Sequence, residues 1–246
     1  MSREEEIIWL PGAGEGSCRI EVSGEHLELL GERAVWWCQR KILFVTDLHL
    51  GQTAPTRQGG LPGSTPKGCD SLLRLKKLVS KYSPTECIIL GDLIDAKASF
   101  NERVQGELSE FFAQVAACRW RLIKGNHDRH TKHWPANWPL MIEGEEFFLP
   151  PFRLLHYPPT MAESTGRLDP QLDLISSDNC FFLAGHLHPA WRDEANKRVG
   201  EKSACYWLNA RGLVLPAFGT YAKTQSIARQ PGDRVFVIAA NKVIEI

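Results

Sequence analysis

Five short apolar runs, each ending in a cluster of Asp, Asn or His, constrain this chain more than any other feature. Residues 41–46, 86–90, 120–124, 152–155 and 180–184 are rich in leucine, β-branched and aromatic residues and too short for helices, so they read as buried strands. They end in Asp47-Leu48-His49, Gly91-Asp92-Leu93-Ile94-Asp95, Gly125-Asn126-His127-Asp128, His156 and Gly185-His186-Leu187-His188. Strand ends are where α/β sheets place functional residues.

Helical periodicity separates the first three runs. Leu72, Leu75, Val79 and Tyr82 recur on one face, and Val104, Leu108, Phe111, Phe112 and Val115 define a second amphipathic segment. Before the second, Ser99-Phe100-Asn101-Glu102 has the form of a capping box. Strand, helix, strand, helix, strand implies βαβ units. The chain ends differ: residues 28–38, 206–209, 213–215, 234–239 and 242–246 are strand-like, with a turn signal at Pro231-Gly232-Asp233. A second sheet or an antiparallel extension is expected. With 246 residues, no repeat and no long linker, residues 1–246 read as a single domain.

Composition narrows the setting. The chain is 43% hydrophobic and 24% charged, which excludes a disordered or collagen-like chain. Its 29 basic and 29 acidic residues give a formal net charge of zero, against attachment to nucleic acid by bulk positive charge. The seven cysteines are scattered, with no Cys-x-x-Cys pair, as expected of free thiols in a reducing compartment. The N-terminus is acidic, and no apolar run approaches the ~18 residues of a membrane span. A cytoplasmic protein without membrane association is expected. Gly12-Ala13-Gly14-Glu15-Gly16 lacks dinucleotide-site spacing, and neither a phosphate loop ending in Gly-Lys-Ser/Thr nor a Gly-x-Ser-x-Gly elbow occurs.

Each polar cluster alone is weak evidence, since an Asp-x-His after a strand is commonly a capped turn. Together they offer nitrogen and oxygen donors without thiolate, a set that suits divalent manganese, iron or zinc. In this order they resemble the calcineurin-like metallophosphoesterase superfamily, whose pattern is Asp-x-His, Gly-Asp-x-x-Asp/His, Gly-Asn-His-Asp/Glu, His and Gly-His-x-His. The resemblance spans residues 47–188. It implies a two-sheet αββα sandwich and two divalent metal ions that activate a water for in-line attack on phosphorus. Carried over by motif, Asp47, His49, Asp92 and His188 would hold one metal, and Asp92, Asn126, His156 and His186 the other. His127 would stabilise the phosphoryl group and protonate the leaving oxygen, with Asp95 orienting it or capping the next segment. Asp128 reads as a turn-stabilising neighbour.

Flanking residues sharpen the resemblance. Arg57-Gln58-Gly59-Gly60-Leu61-Pro62-Gly63, Ala184-Gly185-His186-Leu187-His188-Pro189-Ala190 and Leu215-Pro216-Ala217-Phe218-Gly219 resemble the bacterial ligase-associated DNA-damage-response endonucleases. That resemblance implies a manganese-dependent endonuclease acting on single-stranded or structured DNA, in repair alongside a ligase, a helicase and an exonuclease. A small-molecule phosphodiesterase is the alternative, and a non-catalytic binding scaffold a third. Residues 54–60 lack the aromatic expected before Arg57.

Local charge supports a polynucleotide better than the total does. Residues 57–81 hold six Lys or Arg against one Asp, and residues 119–133 hold five against one. Arg57, Lys124 and Arg129 are candidates for substrate contact, whereas Arg74, Lys76, Lys77 and Lys81 read as the solvated side of a helix. Of the tryptophans, Trp36, Trp37, Trp120 and Trp207 fall in strand-like runs and read as core, while Trp134, Trp138 and Trp191 fall in loops.

Overall fold

Among the described residues seven strands form the first sheet, in chain order: β1 (Cys18–Val22), β2 (Glu25–Leu29), β3 (Val35–Trp37), β4 (Ile42–Val45), β5 (Glu86–Ile89), β6 (Arg119–Leu122) and β7 (Leu140–Ile142). The computed structural model describes residues 14–52, 68–131, 133–159, 180–192, 202–220 and 222–246. β1 to β4 make an antiparallel meander, and β4, β5, β6 and β7 run parallel. Two α-helices, α1 (Gly68–Tyr82) and α2 (Glu102–Gln114), supply the crossovers. β4 and β5 are buried at every position because helices cover one face of the sheet and a second sheet covers the other.

The second sheet contains β8 (Glu146–Leu149), β9 (Phe152–Leu155), β10 (Phe181–Ala184), β11 (Pro189–Trp191), β12 (Ser203–Asn209), β13 (Gly212–Val214), β14 (Gln225–Ser226), β15 (Arg234–Ala239) and β16 (Lys242–Glu245). Its order is β14-β11-β12-β13-β10-β9-β8, with β15 on β12 and β16 on β15. β10 runs parallel to both β9 and β13.

The two-residue period of the strands sorts their side chains between two cores. Leu43, Val45, Cys87, Ile89, Trp120 and Leu122 pack against Leu72, Leu75, Leu108, Phe111 and Phe112 of the helices. Ile42, Phe44 and Ile88 point the other way and meet Phe152, Leu154, Leu183, Tyr206, Leu213 and Phe236 of the second sheet. The described residues therefore form a two-sheet α/β sandwich, as expected, with both α-helices on the outer face of the first sheet. No helix among the described residues is long and apolar enough to cross a membrane.

Several local readings change. The N-cap of α2 is Asn101, whose side chain accepts the Val104 amide at 3.1 Å, while Ser99 belongs to a short 3-10 turn at Lys97–Ser99. Ser99 and Asn101 can both cap by residue type, and the helix begins after the second. Trp191 lies in β11, and Trp207 is only partly buried, its Nε1 donating to Asp233. Trp134 and Trp138 join Phe100 and Phe112 in an aromatic cluster under α2. Asn101→Ala is expected to lower unfolding free energy by about 1 kcal/mol in a urea titration, and Ser99→Ala by much less.

Candidate metal centre

All seven expected metal-facing residues come together where strands of both sheets end. Asp47 and His49 follow β4, Asp92 follows β5, Asn126 follows β6, His156 follows β9, and His186 and His188 follow β10. Three triads each bring ligand atoms within 4.8 Å of one another: Asp47, His49 and His188; His49, Asp92 and His127; Asp92, His156 and His186.

The backbone produces this convergence by turning sharply at each strand end. Asp47, His49, Asp92, His186 and His188 all have φ between 45° and 68°, the left-handed region that non-glycine residues rarely enter. Asp and His tolerate it better than most residues, and such backbone clusters at functional sites. Two glycines allow the approach of neighbouring segments. A Cβ on Gly91, at φ +89°, would lie 2.1 Å from His156 Nδ1, and a Cβ on Gly125 would lie 2.1 Å from Asp92 Oδ1.

Hydrogen bonds then decide which atoms face inward. Asp47 Oδ2 accepts the Thr46 hydroxyl at 2.8 Å and the His186 amide at 3.0 Å. Asp92 Oδ1 accepts the His127 amide at 3.0 Å. Each carboxylate thus presents its other oxygen to imidazoles. Asp47 Oδ1 lies 3.2 Å from His188 Nε2 yet makes no well-directed hydrogen bond, and Asp92 Oδ2 lies 3.3 Å from His156 Nε2 and 3.9 Å from His49 Nε2.

Two histidines are aimed through Nδ1 by hydrogen bonds, and a third has a carboxylate beside that nitrogen without a well-directed hydrogen bond. His156 Nδ1 donates to the Leu90 carbonyl at 2.8 Å, His188 Nδ1 to the Lys223 carbonyl at 2.9 Å, and His49 Nδ1 lies 3.3 Å from an Asp95 carboxylate oxygen. Fixing one ring nitrogen in this way leaves Nε2 as the ligand atom. His49 and His188 then face each other through Nε2 at 3.3 Å, and His186 Nδ1 faces His156 Nε2 at 3.2 Å, with Asn126 Oδ1 3.1 Å from the latter. Opposed ring nitrogens, an unsatisfied buried carboxylate oxygen and the absence of thiolate from the set fit divalent cations bound through nitrogen and oxygen.

The protein's own charges reinforce that fit. Burial opposes ionisation of Asp47, but the imidazoles that face it, His188 at 3.2 Å with His156 and His49 beyond it, prevail and lower its pKa to about 2. Asp92 is likewise lowered, against burial, by its hydrogen bond to His156 and the charge on that ring. Burial disfavours a charged His156, yet Asp92 and Asp47 raise its pKa to about 9; His186, also desolvated and beside that ring, falls to about 4. Cations entering such a site compete with the protons that its carboxylates attract.

Asp95 requires a correction. Its carboxylate was expected to orient His127, but it faces His49; the Asp95 main-chain carbonyl contacts His127 Nδ1 instead. The chain turns after Ile94 such that the carbonyl and the side chain point to different rings. His127 is partly exposed, with Nε2 3.8 Å from Asp92 Oδ2. Asp128 is fully buried, its carboxyl accepting the Ile94 amide at 3.2 Å and the Gly125 amide at 3.1 Å, so it ties two of the site loops together. Burial raises its pKa to about 6.

At the rim, Arg129 pairs with Glu145 at 2.7 Å and lies over the Tyr157 ring, which packs 4.3 Å from His186. Arg57 lies outside the described residues. Thr46 and the Lys223 carbonyl escaped the sequence reading: a main-chain acceptor has no sequence signal, and Thr46 reads simply as the end of a strand.

Asp95→Asn is expected to weaken divalent-metal affinity about 10- to 100-fold in an equilibrium titration, because His49 loses the negative charge 3.3 Å from its Nδ1. An unchanged affinity would refute that role.

Residues 40–219 match the profile described as calcineurin-like phosphoesterase. Among solved structures, the nuclease MPE of Pseudomonas putida aligns with a TM-score of 0.74 at 25% identity, covering 94% of this chain and 100% of that one. Yfce, a phosphoesterase from E. coli, aligns with a TM-score of 0.35 at 16% identity, covering 83% and 97%. No curated protein sequence matches.

Proposed function

The chain belongs to the calcineurin-like phosphoesterase family, and from that premise we propose that this phosphoester hydrolase is a manganese-dependent endonuclease for single-stranded or structured DNA. The observation that carries the reading is the likeness, over nearly the whole chain, to a nuclease, joined to a cluster of nitrogen and oxygen donors at the ends of both sheets. Asp47, His49, Asp92 and His188 would hold one cation, and Asp92, Asn126, His156 and His186 the second. When bound, the cations supply an activated water and draw charge from the phosphate oxygens.

The chain's own groups do the rest. Asp92 would serve both cations, since its Oδ2 lies 3.9 Å from His49 Nε2 and 3.3 Å from His156 Nε2. His127 commits Nδ1 to the Asp95 carbonyl, which leaves Nε2 to face the substrate. With Nδ1–H engaged, Nε2 delivers a proton to the leaving oxygen only from the imidazolium form. Arg129, over Tyr157 at the rim, contacts the substrate on exchanging its bond to Glu145 for a phosphate oxygen. A place in DNA repair beside a ligase, a helicase and an exonuclease follows from the ligase-associated resemblance.

His127→Ala is expected to retain both metals by elemental analysis while losing at least about 100-fold in turnover. Asp92→Ala is expected to lose metal and activity together. The manganese-loaded protein should cut single-stranded or hairpin DNA and stop on chelation. Hydrolysis of a small diester with no cleavage of single-stranded, hairpin or duplex DNA would overturn the nuclease reading in favour of a small-molecule phosphodiesterase.

A further inference from the structure

Ion pairing redistributes the basic charge apparent in the sequence. Of the basic residues in 119–133, Arg119 and Arg121 pair with Glu86 at 3.6 and 2.7 Å, Arg121 also with Glu143, and Arg129 with Glu145 at 2.7 Å. The basic residues of α1 behave differently. Arg74, Lys77 and Lys81 line one open cavity with Leu78 and Glu32, and among the described residues none of these three cations forms an ion pair. Their spacing of three and four residues puts them on one helix face, spanning about 10 Å at 1.5 Å per residue.

The inner end of this groove lies beside the metal centre. Arg74 Nη2 donates to the Phe218 carbonyl at 2.6 Å, with its guanidinium 4.3 Å from the centre of the Phe218 ring. Phe218 and Gly219 donate their amides to the Thr46 and Asp47 carbonyls, each at 2.9 Å. Only this short segment separates Arg74 from a strand end of the site. Arg74 Nε is buried without a hydrogen-bond partner. Arg33, which reaches the Ala217 carbonyl at 3.4 Å, is a second partly buried cation without an ion pair among the described residues. Burial lowers the pKa of both guanidiniums, and the charge of Arg33 lowers that of Arg74 further. Asp70 and Glu32 offset this only in part, and a partly buried cation that no carboxylate contacts is costly, a cost that falls when an anion arrives.

We infer that the α1 face of Arg74, Lys77 and Lys81 is an auxiliary phosphate site that holds the backbone of the nucleic-acid strand beside the nucleotide being cleaved. It rests on the proposed nuclease reading and adds to it where the strand runs. Glu32, which also lines the cavity, limits the net attraction, which suits a strand that must be released.

The test measures binding of a fluorescent single-stranded oligodeoxynucleotide, with phosphorothioate linkages to slow cleavage, to the manganese-loaded protein across a salt series. Lys77→Gln and Lys81→Gln are made singly and together, both at exposed positions. Each should reduce the slope of log affinity against log salt by about 0.7, and the pair by about 1.4. Arg211→Gln, on the β12–β13 turn, should leave the slope unchanged. A double variant with wild-type slope and affinity overturns the groove and leaves the nuclease reading intact. A wild-type protein that binds and cuts no DNA overturns both, and parallel small-diester hydrolysis distinguishes that failure from an inactive preparation.

Discussion

The buried carboxylates of Asp47 and Asp92 organise the rest of the structure. A carboxylate taken out of water needs hydrogen bonds or opposite charge, and each of these receives both. One oxygen is fixed by main-chain amides and, for Asp47, the Thr46 hydroxyl; the other is surrounded by imidazoles. Because the His186 amide reaches Asp47 from the second sheet, the two sheets must close at this end for the first carboxylate to be satisfied. The left-handed backbone at five of the seven clustered residues is the local cost of pointing so many polar groups inward.

The supports of the site are mostly main chain. Carbonyls of Leu90 and Lys223 aim His156 and His188, and the Asp95 carbonyl holds His127. The amides of Phe218 and Gly219 hold the strand end that carries Asp47. A Cβ at Gly219 would meet the Leu48 carbonyl at 2.7 Å, so only a glycine passes this close. The site is therefore positioned by rigid strand ends, while side chains such as Asp128 join neighbouring loops.

Charge takes its meaning from placement. A formal net charge of zero describes an average, and a local excess of Lys and Arg describes only what is available. Folding neutralises the cations of β6 with Glu86 and Glu143, whereas those of α1 remain without ion pairs among the described residues. Part of the basic excess around β6 is thus offset by acidic partners, while that of α1 is not.

Motif order and strand-like runs made much of this protein legible before folding was considered. The five apolar runs are strands, the two periodic segments are helices, and Asp47, His49, Asp92, Asn126, His156, His186 and His188 meet in one place. β1, β7, β8, β11 and β14 were not foreseen, none being longer than five residues, and residues 28–38, read as one strand-like run, divide into the end of β2, a turn and β3. Nor could sequence place the cap at Asn101 over Ser99, or direct the Asp95 carboxylate to His49 and its carbonyl to His127. By itself the sequence determined which donor types stand at which strand ends, since composition and periodicity are local properties. Only the tertiary structure decided which atom of each residue faces inward and which cations stay unpaired, because both depend on carbonyls, amides and carboxylates brought close from remote parts of the chain.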